Sequence, residues 1–77
     1  MEFIIQLKSA QDVHDFVSIA TSRPFPVYAS NNFHRVNAKN FMEMFSLDVS
    51  QPMWVSADCS EPDFWYLRQD SSRFVIG

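Results

Sequence analysis

Glycine is nearly absent from this chain: the only one in 77 residues is Gly77. A phosphate-cradling loop uses several glycines so that backbone N–H groups can approach the phosphate, and no such loop can be drawn here. Cysteine is as scarce. Cys59 stands alone, which excludes an internal disulfide and a four-cysteine zinc site. Basic residues are few and scattered, six Lys and Arg against nine Asp and Glu, for a net charge of −3. A nucleic-acid binder needs a clustered basic surface to pair with phosphates, so the balance argues against that class. No apolar run approaches the ~20 residues that span a bilayer. The opening MEFIIQLKSAQ has neither the basic start nor the long apolar stretch of a signal peptide. These absences set the expectation of a soluble cytoplasmic protein with no nucleic-acid and no membrane partner.

What is present looks globular. The chain is 47% hydrophobic, 16% aromatic and 19% charged, richer in aromatics and poorer in charge than a disordered segment. Its length suits one domain, residues 1–77, with little stability to spare. No repeat, linker or low-complexity segment divides it.

The hydrophobic pattern predicts seven elements. Residues 1–7 alternate, with Phe3, Ile5 and Leu7 on one side, which is the period of a half-buried strand. Ser9 reads as an N-cap with Asp12 three positions on, an acidic variant of the capping box. Val13, Phe16, Val17 and Ala20 follow at helical spacing, predicting a helix over 10–21 that Pro24 and Pro26 end. Strands are expected over 27–30 and 34–38, joined at the turn signal Asn31-Asn32, with Val27, Ala29, Val36 and Ala38 inward. Asn40 caps a short helix over 41–47. A fourth strand over 53–57 points Met53 and Val55 inward and Trp54 outward. Ser60-Glu61-Pro62-Asp63 is a strong helix start, with Cys59 placed to pack on Phe64 as a hydrophobic staple. Phe64, Leu67, Ser71, Phe74 and Val75 are expected on one face of that last helix.

Three stretches carry a family resemblance. AKNFMEMFSLDVSQP (38–52) looks like the third-strand end, short helix and following turn of the histidine-containing phosphocarrier protein HPr. DFVSIAT (15–21) resembles the body of that family's first helix, and VSAD (55–58) the end of its last strand. The three stand in the family's order and cover nearly the whole chain. The resemblance implies an α+β fold: an open-faced sandwich of a four-stranded antiparallel sheet, order 1-4-2-3, with three helices on one face.

The same resemblance places the family's active site on residues that lack its chemistry. The phosphorylated histidine falls on Ser9, the phosphate-binding arginine on Gln11 and the proline after it on Asp12. A phosphocarrier needs an imidazole nucleophile at a helix N-terminus, where free N–H groups and an arginine hold the phosphoryl group. Asp12 adds a negative charge instead. The family's regulatory serine falls on Asn40, which can cap a helix but cannot be phosphorylated.

The remaining chemistry is sparse. His14 lies about a turn beyond the site, and moving it there would rotate Phe16 and Val17 out of the core. His34 stands beside a hairpin turn. The two histidines lie on different elements with no third ligand, so no metal and no cofactor is expected. Cys59 precedes a helix N-terminus, which lowers thiol pKa, but no histidine is placed to activate it. No triad or carboxylate pair appears, and no enzymatic activity is expected.

Several aromatics remain that the fold does not need. Trp54 is expected on the uncovered sheet face, with Tyr28 and Ile4. Phe41 and Phe45 lie one turn apart on the short helix, in the region the family uses to dock onto partner enzymes. Trp65 and Tyr66 fall off the apolar face of the last helix, with Gln69 and Arg73 as neighbours. Large exposed rings are common at the centres of protein interfaces. The expected function is therefore a non-catalytic HPr-like module that binds another protein, or itself, through Trp54, Trp65, Tyr66, Gln69, Arg73, Phe41 and Phe45. Such a surface is what either a natural module or an engineered binder would carry. The competing readings are an active phosphocarrier using the displaced His14, and a metal or small-molecule site on the histidines.

Overall fold

The computed structural model describes residues 1–31 and 34–77. Its elements run β1 (Glu2–Ile5), α1 (Ala10–Thr21), β2 (Val27–Asn31), β3 (His34–Asn37), α2 (Phe41–Met44), β4 (Met53–Ala57) and α3 (Glu61–Asp70). The sheet is antiparallel throughout, in the order β1-β4-β2-β3. This is the α+β open-faced sandwich expected from the sequence.

The strand alternation explains the two faces. Phe3 pairs with Val55, Val55 with Ala29, and Ala29 with Val36, so one row of apolar side chains crosses all four strands. All four are buried, against Val13, Phe16 and Ala20 of α1, Phe64 and Leu67 of α3, and Met44 after Asn40. Burying each of the larger side chains contributes about 1.5–3 kcal/mol. The next row, Ile4, Trp54, Ser30 and Arg35, points the other way, and Trp54 and Arg35 on it are exposed.

All three expected N-caps are formed. Ser9, Asn40 and Ser60 each accept a hydrogen bond from the backbone N–H three residues on. The turn assigned to Asn31-Asn32 lies partly outside the described residues. Asn31 itself extends β2 and is buried, its side-chain amide donating to the Asp48 carbonyl at 3.1 Å.

Other boundaries differ from expectation as well, and β3 ends at Asn37 rather than at residue 38. The β1 ladder stops at Ile5, and Gln6 instead ties its side-chain amide to the Leu7 and Ser50 carbonyls as the chain turns toward α1. Leu7 stays buried all the same. Helix α2 ends at Met44 rather than at residue 47. The Ser46 and Leu47 amides reach back three residues, to Glu43 and Met44, and the Ser46 hydroxyl takes the Glu43 carbonyl as well. A serine that bonds its own backbone in this way competes with helical hydrogen bonding.

The largest correction concerns the C-terminus. Helix α3 ends at Asp70 with Ser71 as its cap, so Phe74 and Val75 do not continue its apolar face. Residues 74–77 instead run antiparallel beside β1. The Gln6 N–H donates to the Phe74 carbonyl at 2.9 Å, the Ile76 N–H to Ile4 at 2.8 Å and the Ile4 N–H to Gly77 at 3.1 Å. The exposed edge of β1 offers unpaired backbone groups, and the tail satisfies them. Phe74 still reaches the core, edge-on to Phe16 at 6.3 Å between centroids.

Candidate functional site

Helix α1 begins with its positive end already occupied. Ser9 is extended, at φ −155° and ψ 166°, and its hydroxyl accepts the Asp12 N–H at 3.1 Å. The Asp12 carboxylate turns back to accept the Lys8 N–H at 3.0 Å. Its other oxygen accepts Arg73 at 3.1 Å, and Arg73 also reaches Asp15 at 3.1 Å. The partial positive charge at a helix N-terminus draws anions. Here the chain's own carboxylates supply them.

Asp15 lies next to this cluster. A hydrogen bond from the Gln11 amide at 2.8 Å, aided by Arg73, holds its carboxyl below the ordinary carboxylate range. A carboxyl lowered by folding contributes stability above its unfolded pKa, and that contribution disappears as pH falls through the folded value. Asp15→Asn should therefore flatten the loss of stability that begins below about pH 4. Urea midpoints measured across that range check it. An unchanged acid slope would show that the Gln11 and Arg73 contacts carry no weight.

His14 stands outside the cluster. Its side chain is largely exposed, with Nδ1 at 3.8 Å from Asp15 and the ring edge-on to Phe41 at 6.0 Å between centroids. A groove of about 550 Å³ opens there, lined by His14, Val17, Ser18, Thr21, Ser22 and Phe41. No three His, Cys, Asp or Glu side chains gather around a common point among the described residues.

A likeness to one solved structure is decisive for the fold. The crystal structure of HPr-C-His from Thermoanaerobacter tengcongensis matches with a TM-score of 0.79 and 25% identity, over 95% of this chain and 88% of that one. The fold is HPr-like. No family model and no curated protein matches the chain. In this HPr-like fold the cap of the first helix is a serine, and Asp12, bound to Arg73, fills the ground beside it.

The candidate binding residues divide into three patches. On the open sheet face Trp54 is 44% exposed, paired with Ile4 on one side and Ser30 on the other. Tyr28 on the same face is half-buried under the Arg35 guanidinium, 4.1 Å from its ring centroid. At α2, Phe41 and Phe45 meet edge-on at 5.0 Å, and both are exposed. On α3, Trp65 is 52% and Tyr66 62% exposed, with Gln69 exposed nearby.

Arg73 does not join Trp65 and Tyr66. Because α3 stops at Asp70, Arg73 no longer follows Gln69 by one helical turn. Its guanidinium lies instead on Asp12 and Asp15, 4.4 Å from the Phe74 ring centroid. Two features of this surface escaped the sequence. Met42, 77% exposed beside Phe41, could have been found from the α2 spacing. The α1–α2 groove had no sequence signal, since it depends on how two helices meet.

Cys59 is half-buried and packs against the core. Burial raises its thiol pKa, and the charges of Asp63 and Asp58 raise it further. The direction is opposite to the lowering considered for a cysteine before a helix start.

Proposed function

We propose that this chain is a non-catalytic HPr-like module that binds another protein through aromatic side chains left on its surface. One observation carries the reading: Phe41, Phe45, Trp54, Trp65 and Tyr66 are each more than a third exposed in a chain of 77 residues. Water contact at so many large rings is unfavourable, and partner burial of such rings is where interface energy concentrates. The internal pairing of Asp12 and Arg73 weighs against phosphoryl chemistry at the first helix. His14 lies more than a turn into α1, away from the Ser9 cap and the free N–H groups of a helix start.

Two measurements test the proposal. Incubation with the phosphotransfer system's first enzyme and phosphoenolpyruvate is expected to leave no acid-labile phosphohistidine. Stoichiometric labelling of His14 would establish the phosphocarrier reading instead. Immobilised parent chain is then compared with Phe41→Ala, Trp54→Ala, Trp65→Ala and Tyr66→Ala as bait, alongside sedimentation to detect self-association. Capture of a partner, or of a second copy, should be lost with at least one patch. A parent that retains nothing the variants do not, and stays monomeric, sinks the module reading.

A further inference from the structure

Among the three aromatic patches, the one on α3 also carries a charge pattern. Glu61 and Asp63 lie in the helix's first turn and Asp70 at its end, with Asp58 shortly before it. At helical spacing, Tyr66 stands between Asp63 three residues before and Asp70 four residues after. The Trp65 indole N–H points to the Glu61 carboxylate at 3.5 Å. Asp70 is paired with Arg23, and Asp63 accepts the Ser60 hydroxyl. Arg68 is the helix's one basic residue, and its guanidinium lies 6.0 Å from the Trp65 ring centroid. The ring face therefore already has a cation beside it, drawn from the chain itself.

We propose that the outer face of α3 receives a cationic segment of a partner protein. The aliphatic stems of its Lys and Arg side chains lie along the Trp65 and Tyr66 rings, and their charged heads meet Glu61 and Asp63. Lysine and arginine stems cover apolar surface while the heads stay solvated, and a guanidinium over a tryptophan face gains from the ring quadrupole. Arg68 competes for the Trp65 face in the free chain. This inference rests on the protein-binding reading and assigns a partner chemistry to one patch of it.

The test is a titration of ¹⁵N-labelled chain with a short basic peptide repeating Arg-Leu-Lys, and in parallel with an acidic one repeating Glu-Leu-Asp. The basic peptide should shift amides of residues 61–70, weaken in roughly 0.3 M salt through charge screening, and leave the acidic peptide without effect. Trp65→Ala should weaken binding roughly thirtyfold, the scale of a buried interface anchor. Glu61→Gln should weaken it roughly threefold, as for one exposed ion pair. Arg68→Gln should strengthen it, because the ring is vacated and a like charge removed. Glu61→Gln and Arg68→Gln leave the helix cap intact, so they report on binding and not on folding. Equal shifts with both peptides, shifts confined to α1 and α2, or weaker binding by Arg68→Gln would each overturn the inference. A partner captured by the parent and lost with Phe41→Ala or Trp54→Ala, but not with Trp65→Ala, would overturn it while leaving the module reading intact.

Discussion

Phe74→Ala is expected to lower stability by about 3–5 kcal/mol, whereas Tyr66→Ala lowers it by less than about 1 kcal/mol. The two rings belong to neighbouring stretches of chain and differ in what surrounds them. Phe74 is 3% exposed and meets Phe16 edge-on, so its removal leaves a cavity under the tail. Tyr66 is mostly in water and loses little by truncation. Trp65→Ala is intermediate, because its ring packs edge-on to Phe64 at 5.3 Å between centroids while half of it stays exposed. A domain of this size holds roughly 4–12 kcal/mol in total, so the Phe74 variant should sit close to unfolding. Denaturant midpoints of the purified variants decide the matter. A core-sized loss at Tyr66 would remove the surface reading of α3, and a small loss at Phe74 would show that the tail is not docked.

Asp12→Ala should cost about 1–2 kcal/mol, more than an exposed carboxylate normally contributes. It removes the acceptor of the Lys8 N–H and leaves Arg73 with Asp15 alone. Arg73→Ala should cost less, since the capping contacts of Ser9 and Asp12 survive it. A double-mutant cycle between the two should return a coupling of about 0.5–1 kcal/mol. Zero coupling would mean that the Asp12–Arg73 pair adds nothing to the joining of the tail and α1, leaving packing and the Arg73–Asp15 contact to hold them. Removing Asp12 should not confer phosphoryl transfer, because Ser9 offers no imidazole. A phosphohistidine appearing in Asp12→Ala would show that Asp12 had been masking His14.

Much of this protein follows from its sequence. Alternation at Phe3, Ile5, Val27, Ala29, Val36, Met53 and Val55 marked the buried sheet face, and all seven are buried. Ser9, Asn40 and Ser60 were legible as caps, because a side-chain oxygen that satisfies a free helix N–H three residues on needs only local geometry. The absence of a histidine at the start of the first helix was equally plain. So was the outward placement of Trp54 and Tyr66, since strand and helix periods assign side chains to faces, whereas Trp65 fell at the border of the apolar face.

The tertiary structure decided what local periodicity cannot encode. Helical spacing in residues 64–75 was consistent with a longer α3. The chain leaves the helix at Ser71 because β1, some seventy residues earlier in sequence, presents a free edge that the tail can pair with. Arg73 looked like a neighbour of Gln69 and became a partner of Asp12 and Asp15, 61 and 58 residues away. Long-range pairings of that kind depend on where the sheet order and the docked helices bring distant backbone together. The same docking separates the exposed rings into three patches and opens the groove between α1 and α2, where His14 meets Phe41.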